Sequence, residues 1–288
     1  MDYLSKIEEL LSFGGRSRNT IVSYKTYTAP FFDYCVNMLH KDPTEANPSE
    51  IRAFLLWLKA ERSLSDASIN HAISEIRFFY ESVLGQPWNG RQIPHRRLKR
   101  FLPYVPDKDA VSTFIRSIGD IKKKAMVFLM YSAGLRISEV CSLKCSDIQG
   151  GARRIYVAPS KNGRDRYAIL SENALRIVRD YWRSLPPHLK TRDWLFTQQT
   201  NVKKPIYPQF IQSFIPAHEA SLGWPHRMTP HTFRHAYATH SFMDGMDLNT
   251  LSLLMGHASA DSTRIYVHLA TLGLEIGRFK SPADGMEV

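Results

Sequence analysis

Apolar residues recur at helical spacing through the first hundred positions of the chain. Ile21, Tyr24, Phe31, Cys35 and Met38 fall near one helical face, and Pro30 is expected to kink or interrupt that helix. Asn47-Pro48-Ser49-Glu50 reads as a helix start, with a capping side chain, a proline in the first turn and a glutamate three residues on. Ile51, Phe54, Leu55 and Leu58 then follow at i, i+3, i+4 and i+7. A third helix opens at Ser65, carries Ile69, Ala72, Ile73, Ile76, Tyr80 and Val83 on one side, and is stopped by Gly85 and Pro87.

The pattern then breaks. Residues 92–110 hold three prolines and the basic residues Arg96, Arg97, Lys99, Arg100 and Lys108, with no long apolar period. Residues 92–108 read as a linker between a helical domain over 1–91 and a second domain over 109–288, and its charge suits a phosphate backbone as well as a solvated loop. The second domain opens with a helix near Asp107, followed by a buried helix over 125–134 that ends at Gly134. LRISEVCSL continues as a short helix after a tight turn. Residues 153–159 and 166–170 are rich in β-branched and aromatic types, and Asn162-Gly163 between them signals a hairpin. Ser171 caps a helix through Tyr181 and Trp182 that Pro186-Pro187 closes, and the pattern from Tyr207 onward is mainly helical. The fold class is therefore mainly α: a helical N-terminal domain, then an α+β domain with a small antiparallel sheet.

Composition narrows the partner. The 288 residues are 43% hydrophobic and 23% charged, which fits a folded, soluble chain. Lys and Arg number 38 against 27 Asp and Glu, a net charge of +11 that favours an anionic partner, nucleic acid or a membrane surface. The three cysteines form no CxxC pair, so neither a disulfide framework nor a cysteine zinc site is suggested, and a reducing cytoplasm fits. The N-terminal MDYLSKIEELLSF is too charged for a signal peptide, and no run approaches the ~18 apolar residues of a membrane span. A cytoplasmic protein without a membrane partner is expected.

The candidate chemistry centres on HTFRHAYATH, residues 231–240, with three histidines and one arginine. His231 and His235 have the i, i+4 spacing of two metal ligands. Thr232, however, stands where a HExxH helix carries glutamate, Arg234 puts a positive charge beside the ion, and no third ligand is evident. No metal is expected, and His235 and His240 are read as structural residues. Further polar groups lie on both sides. Arg136 follows a glycine turn, Lys161 sits at the hairpin tip, His231 and Arg234 share a helix face, and His257 and Tyr266 come later. Each alone has a plain structural reading: an ion-pair partner, a solvated turn residue, a loop histidine, one tyrosine of thirteen.

Together these residues resemble the tyrosine recombinases, the phage-integrase and Xer-like site-specific recombinases. AGLRISEVCSL is similar to the family's first arginine box, and HTFRHAYATH, LLMGHAS and STRIYVH follow its second box in order and spacing. Ser160 stands where members often carry glycine and Phe233 where leucine is common, and neither change removes a reacting group. The resemblance implies that the first domain is a core-binding domain that clamps DNA. It implies that Tyr266 attacks a phosphodiester to leave a 3′-phosphotyrosine, on the way to a Holliday junction. Arg136 and Arg234 would clamp the phosphate, Lys161 would protonate the 5′-oxygen, His231 would assist proton transfer at the tyrosine, and His257 would hydrogen-bond the phosphate. Glu139 would orient Arg136 or a neighbouring histidine. Arg96, Arg97, Lys99, Arg100, Arg164 and Arg166 are expected to bind the DNA, through its backbone at Arg164 and Arg166. Arginines and lysine supply the charge that metal ions supply elsewhere, and the covalent ester retains the bond energy, so no cofactor, metal or ATP is expected. The partners implied are a double-stranded DNA target site and a homo-tetramer docked through the C-terminal tail, with room for an accessory protein. A catalytically silent DNA-binding protein of the same fold and a type IB topoisomerase are the alternatives, and a metal hydrolase is a remote one.

Overall fold

The computed structural model describes residues 2–98, 102–159, 165–190, 193–225 and 228–256, together with 263 and 265–267. The chain divides into two compact units, Met1–Phe101 and Leu102–Val288. Among the described residues no helix is long and apolar enough to cross a membrane.

The first unit is helical, with α1 (Tyr3–Phe13), α2 (Arg18–Met38), α3 (Pro48–Arg62) and α4 (Asp66–Phe78), the last continuing as a π-helical turn over Phe79–Val83. The start of α3 forms the expected reciprocal cap: Ser49 and Glu50 amides donate to Asn47 Oδ1, and Glu50 Oε2 accepts from the Asn47 amide at 2.9 Å. Pro30 does not interrupt α2. Thr28, Phe31 and Cys35 around it are all buried in the core with Phe54, Leu58, Ile69 and Ile76, and that burial outweighs the one backbone hydrogen bond a proline removes. Part of the basic segment is also fixed here: Ile93 enters this core, the Arg96 backbone is bracketed by the Asn70 amide, and its guanidinium meets Asp66 at 3.0 Å. Arg97 is exposed.

Glu75 is an unusual member of this interior. It is 3% exposed, accepts from the Ser23 hydroxyl and the Tyr27 amide at 3.3 and 3.2 Å, and burial pushes its carboxyl up to about 7. Because the folded value lies above the ordinary 4.5, this group favours folding below pH 4.5 and withdraws that support as pH rises through 7. The loss amounts to about 3 kcal/mol at full ionisation. Glu75→Gln keeps an acceptor and cannot ionise. Its first denaturant transition is therefore expected to gain most of that stability at pH 8 and little at pH 4.5; equal gains at both pH values contradict the account.

The second unit holds α5 (Lys108–Ser117), α6 (Ile121–Ser132), α7 (Ile137–Cys141), β1 (Ile148–Gln149), β2 (Arg154–Val157), β3 (Arg166–Ile169), α8 (Glu172–Ser184), α9 (Gln209–Ser221), α10 (Pro230–Met243) and α11 (Leu248–Met255). The strands form one antiparallel sheet in the order β1-β2-β3, with Val157 paired to Arg166. The Asn162-Gly163 turn lies outside the described residues. β1, two residues long, carries too little pattern to be read from sequence. Helix α6 runs through the core against α5, α8, α9 and α10, which is why its residues from Ala125 to Met130 are apolar almost all round. The class is the expected one, mainly α with a small antiparallel sheet.

Candidate active site

Two turns of backbone set the site. Between α6 and α7, Gly134 adopts φ +62, and a Cβ there would lie 2.4 Å from the Tyr237 ring of α10. This close approach places Arg136 at the start of α7, and it brings the Gly134 carbonyl to Arg234 Nη1 of α10 as an acceptor. At the other side α11 ends in Gly256 with φ +60, which turns its last carbonyls toward the same arginines.

Three consecutive carbonyls at that helix end each receive a different guanidinium. Leu254 O accepts from Arg166 Nε at 2.7 Å, Met255 O from Arg234 Nη2 at 2.6 Å and Gly256 O from Arg136 Nη2 at 3.1 Å. The partial negative charge at a helix C-terminus favours cations there. Glu139, 3% exposed at its side chain, ties the cluster from the opposite side. It accepts from Arg136 Nη1 at 2.7 Å, from the Arg136 amide at 2.7 Å and from Arg166 at 2.9 and 2.8 Å, and lies 3.9 Å from Arg234 Nη1. Burial acts to raise the Glu139 carboxyl, but the Arg166 and Arg136 contacts outweigh it and hold the group below its usual value. Burial, reinforced by Arg136, brings the Arg234 guanidinium down to about 10, so it remains a cation at neutral pH.

Arg166 was expected on the DNA backbone and is instead turned inward. Its side chain is 9% exposed, and its guanidinium is engaged by Glu139 and the Leu254 carbonyl, whose hydrogen bonds replace those of solvent. Arg136, by contrast, keeps 31% of its side chain exposed.

Helix α10 carries His231, Arg234 and His235. His231 has an exposed edge, and the desolvation of the rest of its ring, with Arg234 and Arg136 nearby, holds its imidazole below the ordinary value. Tyr266 is 2% exposed and packs with Tyr237, Ala238, Leu251 and Met255. Burial raises its phenol, while Arg234 and Arg136 pull the other way. His235 stands 3.2 Å from the Tyr266 hydroxyl through Nδ1. Sequence reasoning gave His235 to packing. The signal that pointed elsewhere was its i, i+4 relation to His231, which puts both rings on one face, their centres 6.4 Å apart. His240 is 7% exposed and meets the Tyr131 hydroxyl at 3.1 Å. The structure thus joins Arg136 and Arg234 through Glu139 and the end of α11, and it places Tyr266 where both arginines act on its hydroxyl. Lys161, His257, Arg164, Lys99 and Arg100 lie outside the described residues. Among the described residues no group of three His, Cys, Asp or Glu side chains gathers as a metal cage.

The sequence profile of the Phage integrase family matches residues 107–272, the stretch that contains this network. The chain belongs to the phage integrase family. The first unit matches the family's N-terminal SAM-like domain over residues 3–90. Among relatives of this integrase-family chain, the tyrosine recombinase XerD of Rickettsia bellii is 30% identical over 303 residues, covering 94% of this chain and 95% of that protein. The crystal structure of XerA recombinase is 25% identical with a TM-score of 0.56, covering 97% of this chain and 99% of that one. The Tn1549 transposon integrase, solved in complex with transposon right end DNA, aligns with a TM-score of 0.72 at 18% identity over 98% of this chain and 100% of that one. At that identity it is the fold that is shared. The family and enzyme class are those the two boxes pointed to: this integrase-family member is a tyrosine recombinase.

Proposed function

We propose that this protein breaks and rejoins DNA at a specific site through a 3′-phosphotyrosine formed by Tyr266, exchanging strands by way of a Holliday junction. The observation that carries the reading is the arginine cluster: two guanidiniums, Arg136 and Arg234, are fixed by carbonyls at the end of α11 and by Glu139, and both act electrostatically on the buried Tyr266. Guanidinium forks fixed in advance match the oxygens of a phosphodiester and spend no reorganisation when charge develops on them. Arg136 and Arg234 hold the phosphate, Lys161 protonates the departing 5′-oxygen, and His231 and His257 act at the phosphate. Arg96, Arg97, Lys99, Arg100 and Arg164 bind the duplex, and four protomers assemble on it through their C-terminal tails. The formal charge of +11 supports a DNA partner.

Incubation with a pool of random-sequence duplexes, denaturation and sequencing of the DNA left on the protein tests this. Wild type is expected to retain covalent DNA with one shared motif, and Tyr266→Phe none. Adducts on every sequence alike favour a topoisomerase, and adducts on Tyr266→Phe overturn the mechanism.

A further inference from the structure

A phenol that attacks phosphorus must give up its proton, and the surroundings of Tyr266 keep that proton in place at neutral pH. The side chain is 2% exposed, and burial raises its hydroxyl above the ordinary value despite Arg234 and Arg136. Attack therefore needs an acceptor already within hydrogen-bond reach of Oη. The structure supplies one. His235 Nδ1 lies 3.2 Å from Oη, with the two ring centres 5.7 Å apart.

His235 sits one helical turn from His231 on α10, with Nδ1 toward the Tyr266 hydroxyl. Burial, His231 and Arg234 bring its imidazole down to about 4, which makes it a weaker base than an ordinary histidine until a negative charge arrives beside it. At neutral pH the ring is uncharged and keeps one lone pair, and with Nε2 protonated that lone pair is on Nδ1, facing the hydroxyl. A phosphodiester held between Arg234 and Arg136 adds a negative charge beside the ring, which makes the imidazolium easier to form at the moment of attack.

Building on the strand-transfer reading above, we propose that His235 is a further catalytic residue, the group that takes the Tyr266 proton. The Oη–P bond forms as the P–O5′ bond breaks. The phenolic proton passes to His235 Nδ1, and O5′ takes its proton from Lys161. On rejoining, O5′ attacks phosphorus and gives its proton back to Lys161, the P–Oη bond breaks, and His235 returns the proton to Oη. The proton transfer at tyrosine that the sequence assigned to His231 belongs to His235, and His231 is left to the phosphate.

The test uses the full-length protein and a random-sequence duplex pool carrying 5′-bridging phosphorothiolates. A thiolate leaves without a proton, so the readout isolates the tyrosine side from Lys161. His235→Asn places a polar group near the Nδ1 position but cannot carry the proton. It is expected to melt and to bind the pool as wild type does, yet to form adduct about 100-fold more slowly at pH 7. The gap should narrow toward pH 10, where the phenol begins to ionise unaided. A His235→Asn rate equal to wild type overturns the proposal, as does a deficit that is the same at pH 7 and pH 10, which marks a residue that only packs. Absence of any wild-type adduct, or an adduct on Tyr266→Phe, counts instead against the strand-transfer reading.

Discussion

Glu139→Ala is expected to destabilise the second unit by about 3–5 kcal/mol and to abolish covalent adduct formation. The carboxylate is 3% exposed and stands against Arg166 and Arg234, whose side chains are 9% and 6% exposed. Removing it leaves buried guanidiniums with only backbone carbonyls for company, and a buried cation without its counter-ion is far costlier than the intact pair is favourable. It also releases Arg136, which loses both its side-chain and its backbone bond to Glu139. Denaturant unfolding gives the size of the effect, and added sulfate supplies its signature: an anion able to occupy the vacated position should restore the variant's melting temperature more than it raises that of wild type. A variant that melts like wild type and ignores sulfate contradicts the account.

Gly134→Ala is the second large effect, for a different reason. The backbone there has φ +62, which costs an L-residue about 1–2 kcal/mol, and the new methyl would sit 2.4 Å from the Tyr237 ring. Tyr237 is 6% exposed and cannot swing aside freely, so overpacking adds about 1–3 kcal/mol. Relief by backbone movement would pull the Gly134 carbonyl away from Arg234. The variant is expected to melt lower and to form adduct far more slowly, and Gly134→Ala with Tyr237→Leu, which makes room for the methyl, should recover part of the stability but not all of it. Full recovery would show that the ring contact, and not the left-handed backbone, is the whole of the cost.

What could be read in the chain, and what could not, follows from how far apart the interacting groups stand in sequence. Helices α3 and α4 and the α3 cap rest on residues three or four apart, and they appear where the periodicity puts them. The order and spacing of the two boxes were enough to identify the family. Glu139 could be suspected of holding Arg136, three residues away, but not of holding Arg166, 27 residues further on. Arg166 beside an Asn-Gly turn has every local sign of a solvated residue, and only the position of α11 makes it a buried one. His235 fails the same way, since the tyrosine that gives it meaning is 31 residues distant. Pro30 is the converse: a strong local signal overruled by burial on both sides of it.

The arginine cluster also carries a consequence for the order in which the unit can assemble. Its members reach the end of α11 across 88, 21 and 120 residues of chain, and they share a single carboxylate. Before that helix arrives, three cations would face one anion, an arrangement whose own repulsion holds it open. The three guanidiniums therefore find their full set of acceptors only when α11 is in place. A nascent chain whose synthesis stops short of Leu254 has both boxed arginines but no seat for them, so the phosphate grip can appear only after the chain has been made through Gly256.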